Sequence, residues 1–140
     1  LMHLIGDFEN MHNSFEFGDI IEIVKKDLNE KIQKAEELGV KNIIIDPGFG
    51  FSKTLDQNWA LLQRLQELKS LNKEILVGVS RKRMIYQATG GTAETALIGT
   101  SIAHFIACQQ GANILRVHDV QAAWDAINIY KATLHLTGKN

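Results

Sequence analysis

Cysteine, net charge and long apolar runs are what this 140-residue chain has least of. A single cysteine, Cys108, excludes an internal disulfide and points to a reducing compartment. Its apolar neighbours make it a small core residue on a helix rather than a nucleophile. A net charge of -1 excludes the basic surface that coats a polyanion, so nucleic acid is not an expected partner. No apolar run approaches the ~18 residues that cross a bilayer, and the opening "LMHLIGDFEN" lacks a basic region followed by an apolar segment and a cleavage site. A soluble, cytoplasmic protein without a membrane partner is expected. The chain opens on Leu1 inside a strand-like run, which raises the expectation of a piece of something longer.

What is present is a core-forming composition, 45% hydrophobic against 22% charged, which disfavours disorder. The pattern is strand then helix, four times over. "LMHLI", "KNIIID", "EILVGVS" and "NILRVHDV" are strand-like, and they begin about 30 to 40 residues apart, the length of a βα unit. Between them, Ile20, Ile21, Val24, Leu28, Ile32, Ala35 and Leu38 recur at helical spacing, closed by Gly39 in the place of a C′ glycine. A second helix is predicted from Asp56 to Leu71, with Leu61, Leu62, Leu65 and Leu68 on one side. A short helix near "RKRMIYQAT", a longer one over "TAETALIGTSIAHFIACQQG" and a closing one over "QAAWDAINIYKATLHL" complete the series. Apolar strands alternating with amphipathic helices imply parallel pairing through right-handed crossovers. Two α/β arrangements fit: an open doubly wound sheet, or four of the eight units of a barrel. Both gather ligands at the C-terminal ends of their strands.

Each of those ends is polar. Met2 and His3 end the first strand, Asp46-Pro47-Gly48 the second, Ser80-Arg81-Lys82 the third, and Arg116-Val117-His118-Asp119 the fourth. Asp46 before Pro-Gly is a common turn opening. A carboxylate there can also accept paired hydrogen bonds from the N–H and NH₂ edge of a heterocycle, and Gly48 and Gly50 let backbone approach such a ligand closely. Phe49 and Phe51 flank Gly50, and each is read either as a loop anchor or as a face for a planar substrate. "SRKR" is a solvated basic turn if taken alone. Beside Arg116 and His118 it would form one cationic mouth, with Arg as a planar fork for phosphate oxygens and Lys as a movable charge. His3, His12, His104 and His135 have no metal-ligand spacing. Trp59 and Trp124 fall within helical patterns and read as packing. "TGG" at Thr89 to Gly91 joins two helices instead of following a strand, so it is a weak phosphate-loop candidate.

"LMH", "DPGFGF-K", "VGVSRK" and "RVHDV", in this order and at these separations, resemble the second half of the dihydropteroate synthases. The resemblance implies strands five to eight of a (β/α)₈ barrel, spanning residues 1–140 as one pterin-binding unit of four βα repeats with the first half absent. It implies condensation of 6-hydroxymethyl-7,8-dihydropterin diphosphate with 4-aminobenzoate, with magnesium whose ligand lies in the missing half. By the same resemblance Asp46 reads the amidine edge of the pterin, Met2 and Gly78 line its pocket, and Lys82 touches the pterin and the aminobenzoate region. Phe51 and Ser80 match aminobenzoate contacts, and Arg116 and His118 match diphosphate binders; Asp46 and Lys82 are the expected catalytic pair. Ser52 departs from the glycine common in the family. Alternatives are the pterin-binding domain of a methyltetrahydrofolate methyltransferase, against which the cationic set argues, and a noncatalytic half-barrel. Half a barrel would expose strand edges and an apolar inner face, so a homodimer is expected.

Overall fold

A computed structural model describes residues 1–4 and 18–134. In chain order the elements are helix α1 (Ile20–Glu37), strand β1 (Ile44–Ile45), helix α2 (Leu55–Gln63), a 3₁₀ helix (Leu65–Leu71), strand β2 (Glu74–Val77), helices α3 (Arg83–Thr89) and α4 (Leu97–Gln109), strand β3 (Ile114–Leu115) and helix α5 (Val120–Leu134). The segment read as a polar loop before Gly18, with His12, and the last residues of the predicted closing helix, with His135, lie outside the described residues.

The three strands pair in parallel in the order β1-β2-β3, with Ile45 opposite Ile75 and Val77 opposite Leu115. Residues 1–4 add a fourth parallel segment beside β1. The His3 N–H donates to the Asp46 carbonyl at 2.9 Å and the Asp46 N–H to the Leu1 carbonyl at 2.7 Å. Space therefore repeats chain order, as successive βα units require. The regular ladders are shorter than the apolar runs that encode them. Side chains take over the main-chain groups at their margins: the Ile75 N–H goes to Asn113 Oδ1 at 2.9 Å.

Burial alternates along the strands. Ile45, Ile75 and Val77 are fully buried against the helices, while Ile44 is exposed and Leu76 half-buried on the other face. A doubly wound sheet would cover both faces. Here, among the described residues, the helices cover one, which is the layering of part of a barrel and not of an open doubly wound sheet. The core is the stack of Ile45, Ile75 and Val77 on Ile21, Leu28 and Leu61. Each such side chain contributes about 1.5–3 kcal/mol on burial.

The helices follow their sequence signals with two shifts. Asp19 caps α1 by accepting from the Ile21 N–H at 2.9 Å, and Gly39 turns the chain out with φ +84°. The helix predicted from Asp56 to Leu71 breaks at Arg64, whose guanidinium is pinned to both Asp19 and Glu67, and continues as 3₁₀. Leu65 and Leu68, three apart, stay buried in the tighter spiral. The helix expected from Thr92 starts at Leu97, because Thr95 folds back on Thr92 in a local turn. Cys108 is buried, and burial raises its thiol pKa, as fits a core residue. Trp59 is partly buried against the core, but Trp124 is 54% exposed, with Lys131 Nζ 5.5 Å from its ring centre. The packing role read for Trp124 is therefore incorrect in this chain. The helical pattern holds, but the face it marks points outward. No helix of the described residues is long and apolar enough to cross a membrane.

Candidate functional site

Polar chemistry gathers where the parallel strands end. After β1 the chain enters a tight loop, Asp46 to Lys53, built largely from its own groups. Asp46 Oδ1 accepts the Gly48 N–H at 2.8 Å, which is the turn-opening role, while Oδ2 faces Arg116 Nη2 at 3.7 Å, which reaches across from the end of β3 beyond β2. Gly48 has φ +72°, and a Cβ there would stand 2.0 Å from the His3 carbonyl oxygen, so no other residue fits. Asn58 on α2 accepts the Gly50 N–H at 2.7 Å. Two lysines then hold three carbonyls of the loop. Lys53 Nζ donates to Gly48 O at 2.9 Å and Phe51 O at 3.1 Å, and Lys82 Nζ donates to Phe49 O. Lys82 also lies over the Phe51 ring, 4.5 Å from its centre, where an ammonium is attracted by the π face. Burial drags the Lys53 pKa down to about 7 and that of Lys82 to about 8, against the opposing pull of Asp46 on both.

The ends of β2 and β3 are assembled differently, by side chains reaching across strands. Ser80 is buried, and its Oγ lies 2.9 Å from His118 Nδ1 while accepting the His118 N–H at 3.2 Å. Arg81, at φ +53°, forks onto Asp119 at 2.7 and 2.9 Å and donates to the carbonyls of Ala93 and Glu94. Gly78 leaves room for a neighbour's guanidinium: a Cβ there would meet Arg116 Nη2 at 2.8 Å. Gly78, Ser80, Lys82, Arg116, Val117 and His118 together line a hollow of about 220 Å³. It is cationic on one wall, and the Asp46 carboxylate stands at its edge through Arg116.

A model of the family described as "Pterin binding enzyme" matches residues 1–118. The chain belongs to that family. Dihydropteroate synthase of Escherichia coli (strain K12) is 38% identical to this member over 136 residues, covering 96% of the chain and 48% of the relative. Among solved structures, Xanthomonas albilineans dihydropteroate synthase with 4-aminobenzoic acid superposes with a TM-score of 0.88 at 39% identity, covering 96% of this chain and 48% of that one. The Thermus thermophilus enzyme in complex with 6HMPPP gives 0.85 at 36% identity, covering 94% and 51%. The chain spans about half the length of the relatives it matches.

The predicted site residues of this family member come together at one end of the sheet. Met2 bridges to Asp46, Phe51 lies under Lys82, and Gly78, Ser80, Lys82, Arg116 and His118 share one hollow. One sequence expectation needs correction, and one open alternative is decided. Arg81 is not part of a cationic mouth, since its charge is consumed by Asp119 and two carbonyls. Phe49 is buried in the core, so of the two phenylalanines only the half-buried Phe51 can offer a face to a planar ligand. Sequence reasoning missed Lys53 and Asn58, whose polar atoms point inward, and the pairing of His3 with Asp27 at 2.9 Å beneath the first strand. The one signal for Lys53 was its place in the "DPGFGF-K" run; nothing in periodicity marks an inward lysine in a loop. His3 and His104 are buried single histidines. Among the described residues no cluster of three or more His, Cys, Asp or Glu could hold a metal ion.

Proposed function

We propose that this chain forms half of a dihydropteroate synthase site, corresponding to strands five to eight of a (β/α)₈ barrel. The observation that carries the reading is the half-buried Asp46 carboxylate at a strand end, set 3.7 Å from Arg116 with Lys82 beside its loop, in a chain of the pterin-binding family. The relatives solved with 6HMPPP and with 4-aminobenzoic acid support the choice of substrates.

In this reading the two Asp46 oxygens accept the paired N–H donors of the pterin, one each, while Oδ1 keeps the Gly48 N–H of the turn on its second lone pair. Met2 and Gly78 bound the ring. Arg116 and His118 receive the diphosphate, Ser80 fixes the His118 ring, and Phe51 with Ser80 meets the aminobenzoate. The exocyclic C–O bond breaks with its electron pair leaving on diphosphate, the arylamine nitrogen forms the new C–N bond, and its proton passes to solvent or to the leaving group. Asp46 stabilises the electron-poor pterin, and the cations stabilise the departing charge. Holding two substrates face to face supplies much of the rate. The donor set present here does not suit magnesium, so its ligand is assigned outside these residues and no step is derived through the ion.

Residues 1–140 are read as one unit of four βα repeats, acting in the cytoplasm. They are inactive alone, and self-associate through exposed apolar surface. The exposed side chains of Ile98, Ile102, Val120, Trp124 and Ile129 on α4 and α5 add to that surface. The test is dihydropteroate formation from both substrates with magnesium, comparing residues 1–140 with the longest open reading frame that contains them. Product from the long chain and none from the short one is expected. No product from the long chain overturns the assignment.

A further inference from the structure

Lys53 is an inward-pointing ammonium in a loop where a neutral side chain of equal length would bury more cheaply. Only 8% of it is exposed. Its two acceptors, Gly48 O and Phe51 O, bracket the segment between the Asp46 carboxylate and the Phe51 ring. The other side of that segment is closed by the His3 carbonyl against Gly48 and by Lys82 against Phe49 and Gly50. Asn58, which holds the Gly50 N–H, also reaches back with Nδ2 to the Lys53 carbonyl at 3.4 Å. Every charged group facing the ammonium is identifiable: Asp46 in the loop and Asp27 on α1 favour its charge, Lys82 after β2 and Lys31 on α1 oppose it, and its own field disfavours protonation of His3.

We propose that Lys53 is a positioning residue of the pterin site, holding the Gly48 and Phe51 carbonyls on one charged group so that Asp46 and the Phe51 ring keep a fixed separation and orientation. This rests on the assignment of Asp46 to the pterin. The role needs the charge, because charge-assisted bonds to carbonyls are what a methionine of similar length cannot make. It also explains the neighbouring lysine. Lys82 and Lys53 repel each other, and the loop's carbonyls and Asp46 are what keep both in place. With burial drawing the Lys53 pKa toward neutrality, site geometry becomes sensitive to mild alkali.

The experiment compares wild type, Lys53→Met and Lys53→Arg in the longest open reading frame that contains this sequence. Calorimetric titration with 6-hydroxymethyl-7,8-dihydropterin diphosphate is expected to show affinity at least 30-fold weaker in Lys53→Met, with partial recovery in Lys53→Arg. Amide exchange at Gly50 and Phe51 should quicken at least tenfold in Lys53→Met while the strands keep their protection and the melting temperature does not fall. In wild type, affinity should decline between about pH 7 and 8, and in Lys53→Met that limb should move upward, governed by Lys82 alone. Unchanged affinity with unchanged loop exchange overturns the proposal. So does weaker affinity accompanied by a global loss of protection, which would make Lys53 a strut of the core. If wild type itself does not bind the pterin, the assignment of Asp46 fails, and the exchange data alone decide whether Lys53 sets the loop.

Discussion

The two halves of the site are built on opposite principles. The loop after β1 is shaped from within: Asp46, Gly48, Gly50 and Asn58 direct their hydrogen bonds at one another, and Lys53 and Lys82 are drawn out of water to hold carbonyls. The ends of β2 and β3 are shaped from outside, by Ser80 on His118 and Arg81 on Asp119, and they leave the Arg116 side chain 57% exposed. The first half suits a neutral planar ligand that must be recognised by shape and by a fixed pattern of donors. The second suits a mobile, highly charged group that needs cations more than fit. A substitution in the first half should therefore damage recognition through geometry, and one in the second should damage it through charge.

The sharpest break in that comparison is Asp46→Asn. It keeps an acceptor for the Gly48 N–H but loses the charge, and turnover in the full reading frame should fall about a thousandfold, the scale of losing a preorganised charge at a reacting centre. Steady-state assay with circular dichroism checks it; a fall below tenfold would mean that the carboxylate serves the turn alone. Lys82→Ala comes next, with turnover lower by about a hundredfold and little loss of thermal stability, because a lysine whose charge is already disfavoured by burial adds little to the fold. Arg116→Ala should weaken diphosphate binding about tenfold and flatten its dependence on salt, leaving the affinity for a pterin without diphosphate unchanged. Equal losses for both ligands would erase the distinction between the two halves.

The smallest effect concerns the first segment. Burial and the Lys53 charge press the His3 pKa down to about 4 from 6.5, despite Asp27 at 2.9 Å. Below 6.5 the unfolded chain takes up a proton that the folded one refuses. The stability His3 contributes is thus fully present above pH 6.5 and is lost as pH falls toward 4. His3→Gln should flatten the denaturant midpoint across that window and leave it unchanged at about pH 8.

Much of this was legible in the residues. The parallel βα order, the polar strand ends and the grouping of Asp46, Lys82, Arg116 and His118 follow from apolar periodicity and its interruptions. Besides the inward Lys53 and Asn58 and the His3–Asp27 pair, three features were not. The break at Arg64 depends on Asp19, 45 positions away, and no local propensity contains it. Trp124 obeys a helical period without saying which face the helix turns to the core. Arg81 and Lys82 are adjacent cations in the sequence, and only the positive φ of Arg81 sends one into a cross-strand pair with Asp119 and the other into the loop. Charge in a sequence gives a supply of cations; tertiary pairing decides which remain available.

Gly78 and Arg116 carry a consequence for where charge rests. The guanidinium lies where any β-carbon at position 78 would be, 2.8 Å from its Nη2. The cost is one-sided: alanine at 78 would push aside the tip of a long, exposed arginine that can swing away, while the arginine itself needs the bare glycine to lie flat against the strand. The glycine thus sets where the guanidinium rests rather than whether the chain folds. Alanine at position 78 would therefore move the charge in the hollow without unfolding the strand beneath it.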